Sequence, residues 1–355
     1  MYDLIIIGGG ASGLALADVA KKRNKKILVF DAGKKVGRKI LAAGNGKCNV
    51  SNESVTKEDY NNDFVEKFLP YNDKVYDFFK SIGLTTRTDE GRIYPYSESA
   101  NTVLNLLRKS VEEDIVTDCK IDDVEYSDGV FTVNGKKAKN VAVCTGGITA
   151  GGIGSYNLLE KFGHKKTALY PVLSALRSDT KYVKQLAGIR VKARVTLFTD
   201  GKRVYSEYGE LLFKDNGISG IVSMAISRYL SPNKRNDVSV DLAVEYTVEE
   251  LKTMQKDGLL QKAVLAAVEK QAADRKISVE SCIKDFIVSN VILGDKQNAQ
   301  VTRGGIDTKD FTEKGESKII KGLYACGEVL DVDGRCGGYN LHWAFLTGII
   351  VGESV

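Results

Sequence analysis

The sequence predicts an α/β protein in which a parallel-sheet domain is interrupted by a β-rich stretch and a helical stretch. Three observations predict this fold. Two short apolar runs flank a helical segment in the first 31 residues, β-branched and alternating segments dominate residues 169–246, and an apolar stripe at helical spacing occupies residues 247–298. Strands that alternate with helices are typical of parallel sheets, whereas successive runs of strands and of helices indicate separate domains.

The chain begins with a strand–turn–helix–strand unit. An apolar run at residues 4–7 leads into the sequence Gly-Gly-Gly-Ala-Ser-Gly at residues 8–13, which precedes an alanine- and leucine-rich helical segment. A second apolar run at residues 27–30 ends on Asp31. This order of elements is the dinucleotide-binding fingerprint of a Rossmann-like domain.

Each small residue of the turn has a physical role in that fingerprint. Gly8 permits the tight turn, Gly10 lets the backbone approach a pyrophosphate, and Gly13 lets the helix pack against the sheet. The N–H groups at the start of the helix, at Ala11 and Ser12, have no partner within the helix and attract phosphate. A plain glycine-rich turn is the alternative interpretation, and the complete flanking unit disfavours it.

Asp31 is expected to bind a ribose hydroxyl of the nucleotide. It follows Gly10 by 21 residues, close to the spacing of roughly 20 that is typical of this acid. A carboxylate here disfavours NADP because it would repel a 2′-phosphate, although the nearby Lys34 and Lys35 leave that exclusion incomplete.

Composition indicates an ordinary globular protein of two or three domains. The 355 residues are 43% hydrophobic and 27% charged, with a formal net charge of only +5. Scattered lysines of this kind are typical of solvated faces, so no nucleic-acid partner is expected. The first apolar run is too short for a signal peptide, and no stretch approaches the roughly 20 apolar residues of a membrane span, so a cytoplasmic protein is expected.

The cysteines and histidines form no metal signature. None of the six cysteines belongs to a C-x-x-C pair, and the chain has only two histidines. A zinc site or a dithiol centre is therefore not expected, and the cysteines are predicted to be free thiols in a reducing compartment.

Between the first unit and the β-rich stretch, further regular elements are expected. The pattern predicts a helix at residues 100–111 and strands at 114–124, 130–133 and 138–143, with Asn134-Gly135 as a hairpin turn.

Residues 34–52 have the character of a ligand-wrapping loop, because glycine and asparagine recur there without periodicity. Arg38 and Lys39 are candidates to face phosphates. Asn45 and Asn49 are candidates to bond the polar edges of a ring.

Several blocks of the chain resemble the YhiN/BaiN-like flavoproteins, a family of NAD(P)/FAD-dependent oxidoreductases. Residues 37–41 and 44–52 resemble its GRKIL…GGGRCNVTN signature, with Asn45 and Lys47 as departures. Residues 144–147 resemble the A-T-G-G segment with which such folds return to the cofactor. Residues 322–345 are similar to its GLYFAGEVLDVDG and GGYNLQWAF segments, with His342 in place of glutamine.

The resemblance implies a fold and a cofactor. It implies a discontinuous Rossmann-like FAD-binding domain at residues 1–168 and 299–355, with an inserted β-barrel-like domain at 169–246 and a small inserted helical domain at 247–298. It also implies FAD as the bound cofactor. The residues expected to contact FAD are Gly8, Gly10, Ala11, Ser12, Gly13, Asp31, Ala32, Arg38, Lys39, Asn45, Gly46, Cys48, Asn49, Thr145, Gly146, Gly327, Glu328, Gly338, Tyr339, Asn340 and Leu341.

The C-terminal block is expected to lie beside the flavin. A strand that ends at Gly327 presents the Glu328 carboxylate toward the ribityl hydroxyls. A helix that begins near Tyr339 or Asn340 directs its positive end at the flavin N1–C2=O region, where charge collects on reduction.

Few residues are candidates for catalysis, because the flavin carries most of the chemistry. Tyr339 is a candidate proton donor, with a packing role as the alternative. His342 is a candidate catalytic residue, with a place in the core or in solvent as the alternative. Cys336 beside Arg335 is a candidate for a lowered thiol pKa and for reactivity, but an incidental thiol is the favoured interpretation.

The predicted function is hydride transfer between flavin N5 and a small organic substrate. Reduction of an activated C=C bond, as in an enone or steroid-like acid, is the favoured reaction, and NAD(P)H is a possible external reductant. A flavin amine oxidase that uses oxygen is one alternative. A non-catalytic flavin-binding regulatory or RNA-associated protein is another.

Overall fold

The computed structural model describes residues 1–355 and divides into two compact units. Unit 1 comprises Met1–Tyr170 and Gln300–Val355, and unit 2 comprises Pro171–Ala299. The sequence predicts a further boundary at residue 246. In the structure, residues before that position, such as Val195, and residues after it, such as Val268, are buried in the same hydrophobic core.

Both units contain α-helices and β-strands. The helices are α1 (Ala11–Lys22), α2 (Arg38–Ala42), α3 (Asp73–Ser81), α4 (Ala100–Arg108), α5 (Asn157–Glu160), α6 (Ile221–Ser227), α7 (Val248–Thr253), α8 (Lys262–Arg275), α9 (Val279–Lys284) and α10 (Tyr339–Ser354). The first nine strands are β1 (Tyr2–Ile7), β2 (Ile27–Phe30), β3 (Ser51–Asn52), β4 (Thr86–Asp89), β5 (Arg92–Pro95), β6 (Ile115–Val116), β7 (Glu125–Ser127), β8 (Val130–Val133) and β9 (Lys136–Val143). The remaining strands are β10 (Tyr170–Val172), β11 (Leu176–Arg177), β12 (Arg190–Thr199), β13 (Lys202–Lys214), β14 (Gly217–Ser219), β15 (Asn236–Asp241), β16 (Phe286–Val288), β17 (Ile292–Leu293), β18 (Val301–Arg303) and β19 (Leu323–Ala325).

Unit 1 contains a Rossmann-type sheet, which confirms the α/β class. Strands β6, β2, β1 and β9 lie side by side, and β19 joins the far side of β9. The pairs among these strands are parallel. The predicted Asn134-Gly135 turn connects β8 to β9, which pair as an antiparallel hairpin. The predicted strand at 114–124 is wrong for most of its length, because only Ile115–Val116 pairs with the sheet.

Helices α1 and α10 complete the core of unit 1. The Ala11–Asp18 part of α1 is buried throughout; its side chains are small or apolar except for Asp18, whose carboxylate binds the Ser110 hydroxyl and the Lys22 ammonium group. Helix α10 is buried along Trp343 and the residues that follow it. It begins at Tyr339, as the sequence predicts. Two α10 side chains hold the turn after β19: Thr347 accepts the Gly327 N–H at 3.0 Å, and the Trp343 indole donates to the Gly327 carbonyl at 3.2 Å.

Unit 2 contains an open antiparallel sheet with helices. The strand order runs β16-β15-β12-β13-β14-β11-β17, and no pair joins β16 to β17. The barrel-like form expected from the sequence is therefore not confirmed. The apolar stripe of residues 247–298 forms three helices rather than one, and α8 ends where Lys276 adopts a left-handed conformation with φ 55°. Thr247 and Glu250 form a capping box at the start of α7.

Candidate FAD-binding site

The glycine turn brings helix α1 into direct contact with the end of strand β1. A Cβ built on Gly13 would lie 1.9 Å from the Gly8 carbonyl oxygen, so no larger residue fits without moving the backbone. At Gly10, by contrast, a Cβ would meet no atom within 4 Å. The first turn of α1 has no side-chain cap. Open space in front of uncapped helical N–H groups, at Ala11 and Ser12, fits a pyrophosphate.

Asp31 is held at the edge of this turn by backbone donors. One of its carboxylate oxygens accepts the Gly9 N–H at 2.8 Å, and the other accepts the Gly33 N–H at 2.7 Å. The residue is half-buried, as is the adjacent Ala32. Each carboxylate oxygen retains a second lone pair for a further donor. The carboxylate is thus fixed in place and still able to accept hydrogen bonds from ribose hydroxyls.

The two basic residues at the start of α2 have different surroundings. The Lys39 ammonium group forms an ion pair with the Glu328 carboxylate and lies 3.4 Å from the Thr149 hydroxyl. Arg38 is exposed, and its guanidinium lies 2.9 Å from the position of a Cβ on Gly151. The structure therefore brings Lys39 to Glu328, whereas Arg38 faces the glycine-rich stretch after residue 147.

Glu328 joins three segments that are distant in the sequence. In addition to Lys39, its carboxylate accepts the Thr302 N–H at 2.7 Å. The Thr302 hydroxyl in turn accepts the Ile148 N–H at 2.9 Å. A Cβ on Gly146 would lie only 3.8 Å from Glu328. The predicted residues Thr145, Gly146, Gly327 and Glu328 are therefore brought together, and Thr302 is a neighbour that the sequence did not single out.

Thr145 has an unsatisfied hydroxyl group. Its Oγ1 is buried and has no hydrogen-bond partner. Buried polar groups in native proteins are almost always paired, so an unpaired one next to a predicted cofactor segment indicates a missing ligand. Together with the open space at Gly10 and the available lone pairs of Asp31, this hydroxyl shows that the residues fit a ligand with phosphate and hydroxyl groups, as FAD has.

The turn before α10 depends on a close backbone approach. Gly338 has φ 101°, and a Cβ there would lie 2.1 Å from the Ser51 carbonyl oxygen. Only glycine fits this position, because both the conformation and the contact exclude a side chain. The Asn340 side chain accepts the Gly334 N–H at 2.8 Å and donates to the carbonyls of Gly334 at 2.9 Å and Arg335 at 3.2 Å. Asn340 thus braces the loop that precedes the helix.

Tyr339 and Leu341 are both half-buried at the start of α10. The Tyr339 ring packs edge-on against Tyr60, with centroids 6.3 Å apart, and the Tyr60 hydroxyl donates to the Tyr339 carbonyl at 3.0 Å. Burial and the negative charge of Asp59 raise the pKa of the Tyr339 phenol, while Arg335 and Arg92 oppose that rise. The phenol is therefore protonated at neutral pH and lies among charges of both signs.

His342 is fully buried, and both of its ring nitrogens are hydrogen-bonded. Nδ1 lies 2.8 Å from the Ser51 hydroxyl, and Nε2 lies 2.9 Å from the side-chain amide oxygen Oδ1 of Asn72. Because that oxygen only accepts, Nε2 carries the proton and Nδ1 accepts from Ser51. Burial lowers the pKa of His342 to about 4. This placement matches the alternative of a core residue and supports a structural role.

The predicted flavin-edge loop has an exposed rim and a buried thiol. Asn45 and Gly46 are exposed, and Asn49 is half-buried beside Gly44. Cys48 is buried with φ 59°, and burial raises the pKa of its thiol to about 12. Cys48 is thus a protonated thiol beneath the loop.

The surroundings of Cys336 do not lower the pKa of its thiol, in agreement with the favoured interpretation of an incidental thiol. Burial raises the pKa of this thiol, and the Arg92 charge opposes the rise without reversing it. Arg92 was not singled out from the sequence. Its position follows from the pairing of β5 with β3, which places Arg92 opposite Asn52, and the Asn52 amide donates to the Gly337 carbonyl at 3.0 Å.

Comparison with known proteins gives consistent matches along the chain. The profile of the family described as HI0933-like protein Rossmann domain matches residues 2–354. The chain is 30% identical to a 3-dehydro-bile acid delta(4,6)-reductase of Clostridium scindens, over all of this chain and 99% of that protein. It is 32% identical to a ribosomal RNA dihydrouridine synthase of Haemophilus influenzae, over 96% of this chain and 95% of that protein.

A solved structure has the same fold at much lower identity. The 3-ketosteroid delta1-dehydrogenase of Sterolibacterium denitrificans superposes with a TM-score of 0.56 at 12% identity, over 99% of each chain. None of the helices in the present structure is both long enough and apolar enough to span a membrane.

Proposed function

Because the chain belongs to the HI0933-like family and is an FAD-dependent oxidoreductase, we propose that it reduces a C=C bond conjugated to a carbonyl group. The favoured substrate is a small enone or steroid-like acid. The observation that carries the proposal is the full-length similarity to a delta(4,6)-reductase, combined with a protonated tyrosine at the start of α10. NAD(P)H is the proposed external reductant.

The chemistry implied by the names of the two relatives supports the same bond type. A delta(4,6)-reductase acts on double bonds in conjugation with a ketone, and a dihydrouridine synthase saturates the uridine C5=C6 bond, which is conjugated to the C4 carbonyl. In both cases a hydride adds to the carbon β to the carbonyl and a proton adds to the α carbon. The relatives thus support one reaction class with two kinds of substrate.

The residues of unit 1 have proposed roles in holding the cofactor. The open first turn of α1 and the Asp31 carboxylate bind the pyrophosphate and the adenosine ribose. Glu328, held by Lys39 and by the Thr302 N–H, accepts hydrogen bonds from the ribityl chain. FAD, when bound, would supply the hydride, and the first turn of α10 would direct its positive end at the flavin ring.

Tyr339 is the proposed proton donor to the α carbon of the substrate. Its raised pKa keeps the phenol protonated at neutral pH, and Arg92 and Arg335 stabilise the phenolate that forms when the proton leaves. General acid catalysis of this kind contributes about 10²- to 10⁴-fold to a rate. His342 is not given this role, because its Nε2 proton is engaged by Asn72 and no part of the ring is exposed.

Flavin absorption during reduction and reoxidation tests the proposed cofactor, reductant and substrate one after another. The purified protein is expected to carry a yellow FAD spectrum that bleaches anaerobically with NADH or NADPH and returns on addition of an enone faster than on addition of oxygen. Reduction by an amine followed by rapid peroxide formation would instead support the amine oxidase. A protein that binds no flavin on reconstitution would refute the proposal.

Tyr339→Phe tests the proton donor. Reoxidation of the reduced flavin by the enone is expected to slow by about 10²-fold or more, while reduction by NAD(P)H keeps its rate. Tyr60→Phe, which removes the hydroxyl bound to the Tyr339 carbonyl, is the matched control for a change in packing. Equal losses in both half-reactions would rule out a proton-transfer role for Tyr339.

A uridine in ribosomal RNA is a second candidate substrate, favoured by the 32% identity to the Haemophilus influenzae protein. The sequence argues against it through the small net charge of +5, and the expectation of no nucleic-acid partner stays a prediction. Incubation of the reduced enzyme with unmodified ribosomal RNA, followed by mass spectrometry of nucleosides, distinguishes the two. Dihydrouridine formation with no enone turnover would replace the small substrate with RNA.

A further inference from the structure

Tyr156 is a buried tyrosine whose hydroxyl has no hydrogen-bond partner. The side chain is 4% exposed, and its Oη is one of the few buried side-chain oxygens without a partner. The residue lies just before α5, directly after the glycine-rich stretch that begins at Gly151. Isolated buried hydroxyls are rare in native proteins, so this one indicates a partner that binds to the folded chain.

The Tyr156 ring lies beside the segment that leads to Glu328: a Cβ built on Gly154 would lie 2.6 Å from the Tyr156 ring and 3.0 Å from the Ile148 side chain, and the Ile148 N–H binds the Thr302 hydroxyl. Burial and the negative charges of Glu328 and Asp331 raise the pKa of the Tyr156 phenol, so the group is a hydrogen-bond donor at all physiological pH values. Glu328 already receives the Lys39 ammonium and the Thr302 N–H. The phenol proton is bonded to neither carboxylate, and it is available to a ligand.

Thr145 provides a second unpaired hydroxyl around the same carboxylate. Its Oγ1 is buried without a partner, and the next residue, Gly146, has its Cβ position 3.8 Å from Glu328. The two unpaired hydroxyls belong to the polar region that also contains the Glu328 carboxylate and the Lys39 ammonium group. A ligand with several adjacent hydroxyl groups satisfies the two hydroxyls and the carboxylate at once, because each hydroxyl both donates and accepts.

We propose that Tyr156 is a further FAD-binding residue, which donates a hydrogen bond to the polyol chain of the cofactor beside Glu328 and Thr145. Tyr156 is a positioning residue, and no covalent or redox step passes through it. The proposal requires FAD binding but no particular substrate, so it stands or falls separately from the reaction proposed above.

The test uses Tyr156→Phe in the full-length protein, which removes the hydroxyl and keeps the ring. We expect the apoprotein to unfold at the same temperature or higher, because an unpaired buried hydroxyl has been removed. The dissociation constant of FAD, measured by quenching of flavin fluorescence, is expected to rise about tenfold, as for the loss of one hydrogen bond to a ligand. The increase in melting temperature that FAD produces should shrink accordingly.

Tyr324→Phe is the matched control. Tyr324 is also a buried tyrosine of unit 1, but its phenol pKa is raised by burial and by Glu316 rather than by Glu328. FAD affinity should be unchanged in this variant. Thr145→Val should weaken FAD binding in the same way as Tyr156→Phe, without loss of apoprotein stability.

Three results would overturn the proposal. An FAD dissociation constant that stays within twofold of the original would show that the hydroxyl does not contact the cofactor. Equal destabilisation of the apoprotein and the FAD complex, or failure of the variant to fold, would assign the hydroxyl to the protein core. A change confined to the KM for the organic substrate would place Tyr156 at the substrate instead.

Discussion

The glycine turn at the N-terminus is shaped by backbone contacts between residues that are near one another in sequence. Gly13 packs on the Gly8 carbonyl, and Asp31 binds two backbone N–H groups of the same unit. Two contacts come from distant segments: a Cβ on Gly8 would lie 2.4 Å from the Cys144 carbonyl oxygen, and a Cβ on Gly348 would lie 2.3 Å from the Ser12 carbonyl oxygen. Both involve only backbone atoms of the turn, so a short stretch of sequence contains most of the information that determines its structure.

The block at the start of α10 depends on distant segments. Gly338 lies against the Ser51 carbonyl, and His342 is bonded to Ser51 and Asn72, which are 291 and 270 residues away. Tyr60 and Asn52 add further distant contacts, and local support comes from the loop that Asn340 braces. The comparison shows that the phosphate-binding turn is determined mostly by local contacts, whereas the block at the start of α10 depends on side chains of segments far away in the sequence.

The largest effect on stability is expected from substitution of Gly13, which is compared with substitution of Gly10 in the same turn. Gly13→Ala forces a Cβ to within 1.9 Å of a backbone oxygen, so we expect a loss of about 3 kcal/mol or more in the free energy of unfolding, at the upper end for overpacking. Gly10→Ala meets no atom within 4 Å and keeps an allowed φ of −85°. It should leave the apoprotein intact and weaken FAD binding by at least tenfold, since the methyl group occupies the space for the pyrophosphate.

Chemical denaturation of the apoproteins and FAD titration measure the two quantities separately. If Gly10→Ala lowers the free energy of unfolding of the apoprotein as much as Gly13→Ala does, the space in front of Gly10 is not open to a ligand. Unchanged FAD affinity in Gly10→Ala would move the pyrophosphate elsewhere.

The second prediction concerns pH and the C-terminal block. Burial lowers the pKa of His342 from 6.5 to about 4, so the unfolded chain binds a proton more readily than the folded one. The contribution of neutral His342 to the free energy of unfolding is fully present above pH 6.5. It decreases as the pH falls from 6.5 toward 4 and changes little at lower pH. The loss is about 3 kcal/mol on the scale of 1.36 kcal/mol for each unit of pKa.

His342→Gln is the variant that isolates this contribution, because an amide bonds both Ser51 and Asn72 but does not titrate. Denaturant unfolding at a series of pH values should show a shallower slope between pH 6.5 and 4 in the variant. His164→Gln measures the contribution of the other buried histidine to the same slope, because burial also lowers its pKa although Asp310 opposes this. An unaltered slope in His342→Gln would contradict the buried neutral assignment.

The two regions also differ in how far they could be predicted. The spacing of Gly8, Gly10, Gly13 and Asp31 predicts the first unit because its contacts are local. The start of α10 at Tyr339 is predicted equally well. The partners of His342 could not be predicted, since sequence spacing carries no information about contacts between segments hundreds of residues apart.

Other features became visible only in the folded chain. The hydroxyls of Thr145 and Tyr156 are buried and have no hydrogen-bond partner, and no local sequence pattern encodes such an absence. The direction of the Cys336 pKa shift was left open for a related reason, because the sequence shows the adjacent Arg335 but not the burial that dominates. The open form of the unit 2 sheet depends on which edge strands pair, and alternation of residue types does not specify this.

The smallest effect is expected at Asn340, which tests whether the local brace is as important as the distant contacts. Asn340→Ala removes three hydrogen bonds to the Gly334–Arg335 loop, and the half-buried setting allows water to replace part of them. We expect a loss of about 2 kcal/mol in the free energy of unfolding. The flavin absorption spectrum should also change, because the loop and the first turn of α10 lie together.

Asn105→Ala, on the exposed face of α4, is the matched control and should change neither quantity. A variant that loses stability with an unchanged flavin spectrum would separate the loop from the flavin ring, and it would leave the distant contacts to Ser51 and Asn72 as the determinants of the ring environment.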